Sequence, residues 1–269
     1  TVIPIPTFSE YEYAVSSVGG NLKYIQLQAE GLNFSISIDD FCKSLRGADL
    51  AFICNPNNPT ATLFTRNELQ KILEAGNANH CLIVVDEAYL DFVQGGSDYS
   101  LVNQILDYDN LLILKSLTKI YSLPGLRIGY AIGNKDLINK MNNLRDPWSV
   151  NSLAQAAGVA ALSEKDYRTR LQELVWKERQ YLYEEIKQLP GLRPYFPTAN
   201  FMLVNTHAAG ITAIYLHEIL ARTGLLIRDC TSFNGMGSYF FRIAVRKHSE
   251  NMRLIQALDS ALQQESGVG

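Results

Sequence analysis

Short apolar runs that alternate with helical patterns fill the first half of the chain, and they narrow its possible folds sharply. Residues 49–54, 81–85, 111–114 and 128–132 are apolar runs of strand length, and a helical pattern starts near Thr65. Such alternation indicates βαβ units, hence an α/β fold with a mostly parallel sheet and helices on both faces. Thr65 and Glu68 are spaced as a capping box, and Leu69, Ile72 and Leu73 follow at helical spacing. Residues 142–151, with Pro147 and Trp148, read as a connection into one long helix through much of 152–188. After Pro190 the texture changes. A strand-like 201–204, a helix near 212–222, strands at 225–228 and 239–245 and an amphipathic helix from Ser249 to about Gln263 make a small α+β unit. We therefore expect a large domain over 1–160, and a linking helix with a small C-terminal domain over 161–269. Thr1 to Pro6 reads as the middle of a strand and its exit, so a preceding segment is expected.

Composition removes several function classes. With 269 residues and 47% hydrophobic content, the chain can bury a sizeable core. A formal net charge of −3 without a Lys/Arg-rich run leaves no footprint for nucleic acid. No apolar stretch approaches the roughly 20 residues that cross a bilayer, so no membrane partner is expected. Cys42, Cys54, Cys81 and Cys230 lack CxxC spacing, and the four histidines form no HExxH. Neither a metal site nor a disulfide framework is expected, and a cytoplasmic setting fits.

Three blocks carry the chemistry: Asn55-Pro56-Asn57-Asn58-Pro59-Thr60, then Asp86-Glu87-Ala88-Tyr89, then Ser116-Leu117-Thr118-Lys119 with Arg127 eight residues on. In this order and at these separations the chain resembles the pyridoxal-phosphate (PLP) aminotransferase superfamily with the aspartate aminotransferase fold. Within it, the resemblance is to the branch of histidinol-phosphate aminotransferase and L-threonine O-3-phosphate decarboxylase. Ser-x-x-Lys also occurs in penicillin-binding proteins, where it opens a helix beside Ser-Asp-Asn and Lys-Thr-Gly motifs. Those motifs are missing here.

In an open α/β sheet, ligands sit beyond the carboxyl ends of the strands. Asp86 and Ser116 each follow an apolar strand, so they share one crevice. PLP chemistry needs a lysine for the imine, an acid for the pyridine nitrogen, and hydroxyl or cationic groups for the phosphate. Lys119, held in a loop over the pocket, is the candidate lysine, and Asp86 the candidate acid. Tyr89 and Asn58 would hydrogen-bond the ring's phenolic oxygen, while Ser116, Thr118 and Arg127 would hold the phosphate. Taken singly, Lys119 would be a surface lysine and Asp86-Glu87 a helix cap. Phe8 either stacks on the ring or is a core phenylalanine. Arg228 and Arg242, each in an apolar strand-like setting, either grip a doubly anionic substrate or form ordinary ion pairs.

By resemblance, Arg242 would hold the substrate carboxylate and Arg228 would help bind the substrate's anions. The chain segments around Phe8, Trp148, Arg228 and Arg242 look more like the decarboxylase. The resemblance thus implies decarboxylation of L-threonine O-3-phosphate to aminopropanol phosphate for cobalamin biosynthesis. The alternatives are a transaminase, such as one acting on histidinol phosphate, and a catalytically silent PLP-fold binding protein. It also implies a homodimer and an N-terminal segment with a phosphate-binding glycine loop that this sequence lacks. Where relatives have Gly after Asn-Pro-Thr, this chain has Ala61, on a turn where positive φ would penalise alanine.

Overall fold

The computed structural model describes residues 1–266. The chain opens with β1 (Val2–Ile5), α1 (Glu10–Ser17) and β2 (Lys23–Gln26), then the hairpin β3 (Gln28–Glu30) and β4 (Asn33–Ser35). There follow α2 (Ile38–Ser44), β5 (Leu50–Cys54), α3 (Arg66–Ala78), β6 (Leu82–Asp86), β7 (Leu111–Ser116), α4 (Leu117–Ile120) and β8 (Gly129–Gly133). Three helices come next, α5 (Lys135–Leu144), α6 (Ser152–Ser163) and α7 (Lys165–Gln188). The last part holds β9 (Arg193–Pro194), β10 (Phe201–Asn205), α8 (Ala213–Arg222), β11 (Arg228–Asp229), β12 (Phe240–Ala244) and α9 (His248–Ser266).

One sheet has the order β2-β1-β5-β6-β7-β8, parallel except where β8 pairs antiparallel with β7. This is the α/β sheet that the alternating pattern implied. Its central strands are apolar on both faces, with Ala51, Ile53, Ile83, Val85, Leu111 and Ile113 buried on one and Cys54, Val84 and Leu112 on the other. The α3 capping box is complete: the Thr65 hydroxyl accepts from the Glu68 N–H, and the Glu68 carboxylate accepts from the Thr65 N–H. Leu69, Ile72 and Leu73 form its buried face.

A second sheet, β11-β12-β10-β9, is antiparallel throughout. Its two faces alternate with period 2 along β10. Met202 and Val204 join Leu182 and Ile186 of α7 in one core, while Leu203 joins the core of the first sheet. Arg242, directly across from Leu203, therefore points toward the first sheet.

Three sequence expectations need correction. The long helix over 152–188 is two helices, broken at Glu164, where the Ser163 hydroxyl bonds back to the Val159 carbonyl and the Glu164 N–H bonds Ala161. Residues 142–144 are the last of α5 rather than a connection. The strand expected at 225–228 shrinks to Arg228–Asp229, because Gly224 (φ +75°) and Leu225 close α8 in a Schellman motif. There the Leu225 N–H bonds Leu220 and the Gly224 N–H bonds Ala221.

Candidate active site

Strands β1, β5, β6 and β7 run the same way, so the loops leaving them meet at one edge of the sheet. Phe8 follows β1, the Asn-Pro turn follows β5, Asp86 ends β6, and Ser116 ends β7 and caps α4. Lys119 lies in the single turn of α4, not in a loop as expected, with the Ser116 hydroxyl accepting from the Thr118 N–H at 3.3 Å. A helix opened by Ser-x-x-Lys is thus present, as in penicillin-binding proteins, but without their Ser-Asp-Asn and Lys-Thr-Gly motifs.

Asp86 is the chemical centre of the crevice. Its Oδ2 accepts from the Tyr11 hydroxyl at 2.6 Å and its Oδ1 from the Ala88 N–H at 2.9 Å. Burial raises its pKa above the ordinary carboxylate value, while the bonds from Tyr11 and Ala88 and the charge of Lys119 oppose the rise. Among the described residues, no lysine or arginine lies within ion-pair distance of it. Its neighbour Glu87 is the opposite case. Fully buried, Glu87 takes Lys115 Nζ at 2.6 Å, the Ser100 hydroxyl at 2.9 Å and the Leu101 N–H at 3.3 Å. One carboxylate is fully satisfied; the other faces the crevice with capacity left.

The Lys119 ammonium lies 5.7 Å from the centre of the Tyr89 ring. Desolvation, then Arg242 and Arg127, lower the Lys119 pKa, and Asp86 pulls the other way. Burial pushes the Tyr89 phenol up. Asn58 is buried and its Oδ1 accepts from Arg242 Nη1. The Arg242 guanidinium lies 5.1 Å from the centre of the Phe201 ring, which meets Tyr89 edge-on at 4.9 Å. The Ser116 and Thr118 hydroxyls are 2.7 Å apart. Arg127 is exposed, at φ 52°, and donates from Nη1 to the Pro124 carbonyl.

Two further residues stand differently from their sequence reading. Arg228 is exposed rather than set in an apolar interior, because β11 is an edge strand. It pairs directly across from Arg242 and donates to Ser232 at 2.8 Å. Phe8 is 38% exposed, which excludes the core-phenylalanine alternative, and its ring meets Tyr11 edge-on at 5.6 Å. The turn at Ala61 does take a positive φ, 56°.

Residues 1–258 match the sequence model of the family described as aminotransferase class I and II. The chain belongs to that family. Histidinol-phosphate aminotransferase of Methanothermobacter thermautotrophicus is 33% identical over 264 residues, which cover 97% of this aminotransferase-family chain and 68% of that protein. The crystal structure of histidinol-phosphate aminotransferase from Clostridium acetobutylicum superposes with a TM-score of 0.92 at 28% identity, covering 98% of this chain and 78% of the other. L-threonine-O-3-phosphate decarboxylase from Porphyromonas gingivalis gives 0.81 at 25% identity, covering 97% and 76%.

Pyridoxal phosphate is the cofactor of this aminotransferase family, and the residues present fit it. A buried carboxylate with spare acceptor capacity suits a protonated ring nitrogen. A lysine of lowered pKa stands on the same crevice, with a hydroxyl pair beside it for phosphate oxygens. Sequence reasoning gave no role to Tyr11 or Phe201. Tyr11 was detectable only as an aromatic three residues after Phe8, and its partner Asp86 lies 75 residues away. For Phe201 there was no signal beyond a strand pattern.

Proposed function

We propose that this family member is a PLP-dependent aminotransferase acting on a phosphorylated amino compound of the histidinol-phosphate kind. The observation that carries the reading is Lys119 in α4, 5.7 Å from the centre of the Tyr89 ring and subject to the charges of both Asp86 and Arg242. Relatives named histidinol-phosphate aminotransferase, at 33%, 32% and 30% identity, support the transaminase at least as well as the decarboxylase that sequence reasoning put first, which has a relative of its own at 31%.

Pyridoxal phosphate, when bound, supplies an electron sink for the bond broken at the substrate's Cα. Asp86 would hold the proton at the ring nitrogen, since a carboxylate there is stabilised by an adjacent cation. Tyr11 fixes the direction of that carboxylate through its 2.6 Å bond. Tyr89 and Asn58 would donate to the phenolic oxygen, and Phe8 would cover a ring face. Ser116, Thr118 and Arg127 would bind the phosphate. Lys119 Nζ, with its pKa lowered, moves the proton to or from the reacting carbon. Arg242 and Arg228 orient the substrate's anionic groups.

The decarboxylase remains the second reading on a specific observation. Arg228 and Arg242 are direct cross-strand neighbours, and like charges so placed repel unless anions lie between them. Phosphothreonine carries a carboxylate and a phosphate, and that reading would place the chain in cobalamin biosynthesis. The test uses the chain with added PLP. Glutamate formed from 2-oxoglutarate and histidinol phosphate supports the transaminase, and CO2 released from phosphothreonine supports the decarboxylase. Neither product would leave only the fold.

We further infer a homodimer, because apolar side chains stand exposed on β8, the end of α5, the connection after it and the start of α6: Tyr130, Leu144 at 90%, Trp148 at 88% and Leu153 at 74%. The cysteines are free thiols, in keeping with a cytoplasmic setting, and no described helix is long and apolar enough to cross a membrane.

A further inference from the structure

We propose that Phe201 is a positioning residue that holds the substrate-binding guanidinium of Arg242 and the cofactor-facing ring of Tyr89 in one fixed relation; this rests on the function proposed above. Phe201 belongs to the second sheet and Tyr89 to the loop after β6 of the first, so a single ring bridges the two. It is 4% exposed and shares a small buried cluster with Ala61 and Ala199, with Tyr89 packed against it.

The contacts on the two sides of the ring differ in kind. Phe201 pairs with Ala244 and Arg242 pairs with Leu203 across the β10–β12 ladder, so Phe201 and Arg242 are diagonal neighbours on one sheet face. That places the guanidinium over the ring, 5.1 Å from its centre, where the negative face of the π system attracts it. Tyr89 meets the same ring edge-on, at 4.9 Å and 82°, a geometry favoured for aromatic pairs. Beyond Tyr89, the Lys119 ammonium faces the tyrosine ring. Beyond Arg242, the guanidinium holds Asn58 Oδ1. Lys119, Tyr89, Phe201, Arg242 and Asn58 thus form one continuous series of contacts, with Phe201 as its middle member. The loop on which Ala199 sits is itself pinned: Arg179, buried, donates to the Thr198, Ala199 and Phe92 carbonyls, and the Thr198 hydroxyl donates to the Ala61 carbonyl. Phe201 therefore has little freedom to yield, and the guanidinium is aimed before any substrate arrives.

An aliphatic side chain of similar bulk keeps the cluster filled but has no π face. Without that face, Arg242 swings toward solvent and no longer acts on Lys119, whose pKa it lowers. The test compares Phe201→Leu, Phe201→Met and Phe201→Tyr with the parent chain, using succinate as a dianionic probe in calorimetry. Lys119 is titrated by NMR after reductive methylation with labelled formaldehyde. Loss of succinate affinity by roughly 5- to 30-fold in the Leu and Met variants, with retention within about threefold in the Tyr variant, is the expected result. The Lys119 titration should move upward in Leu and Met alone, at unchanged thermal midpoints.

Two results overturn the inference: Leu and Met variants that bind succinate like the parent, or a Tyr variant as impaired as they are, which marks a packing role only. The two aliphatic variants differ in shape, so one folded variant suffices. Failure of the functional reading is seen separately, as a parent chain that takes up no PLP at Lys119 while the succinate pattern still holds.

Discussion

Ionising Asp86 carries a cost in the cofactor-free chain. Burial raises its folded-state pKa, so its favourable contribution is present below the unfolded value and disappears as pH rises through the raised one. Asp86→Asn should therefore raise the thermal midpoint at pH 7 and lose that advantage near pH 4, while abolishing activity. Melting curves at the two pH values check it, and a variant less stable at pH 7 than the parent would contradict the argument. Tyr11 acts in the other direction, since its hydrogen bond lowers the Asp86 pKa. Tyr11→Phe removes the bond without changing the buried ring stack on Phe52, at 4.8 Å and 8°. We expect kcat to fall about tenfold, as for loss of one bond to a charged group, with the acid limb of the pH profile moving upward. Lys119 and Asp86 were legible in the sequence because each follows an apolar strand that fixes where its side chain emerges. Tyr11 and Phe201 were not, because their roles come from contacts across the fold that no local pattern records.

At the level of elements, the active-site edge depends on how closely β8 approaches β7. Gly129 pairs with Ser116, and a Cβ on it would lie 2.5 Å from the Lys115 carbonyl oxygen. Gly129→Ala should force β8 away at the point where Ser116 caps α4, costing about 1–3 kcal/mol and weakening PLP binding. Denaturant unfolding and cofactor titration test it together. The turn at Ala61 carries strain of its own. Ala61→Gly should relieve the left-handed conformation and stabilise the chain by up to about 1 kcal/mol, read as a higher denaturant midpoint. The sheet and α3 were readable because apolar periodicity and the capping box act over a few residues. The break at Glu164 and the shortness of β11 were not, because side-chain and terminal hydrogen bonds at Ser163 and after α8 overrode the apolar patterns there. The sequence reading missed α5 although Leu137, Ile138, Met141 and Leu144 recur there at helical spacing; none of its residues is buried.

Over the whole molecule, α7 packs on the second sheet while that sheet's other face meets the first, so the Arg242 side of β12 is carried to the edge that holds Asp86 and Lys119. The parallel run of β1, β5, β6 and β7 brings residues from 8 to 119 to one crevice, and the second sheet adds an arginine from more than a hundred residues further on. The central claim is that this crevice makes Lys119 the cofactor lysine. Its pKa is lowered from the ordinary value, so the free amine should become available at lower pH than on other lysines. The decisive measurement is peptide mass spectrometry after PLP incubation and borohydride reduction across a pH series. A stoichiometric pyridoxyl label confined to Lys119, with a midpoint below the roughly 10.4 of an ordinary lysine, is the result predicted. No label, a label spread over surface lysines, or a midpoint at the ordinary value would contradict the account.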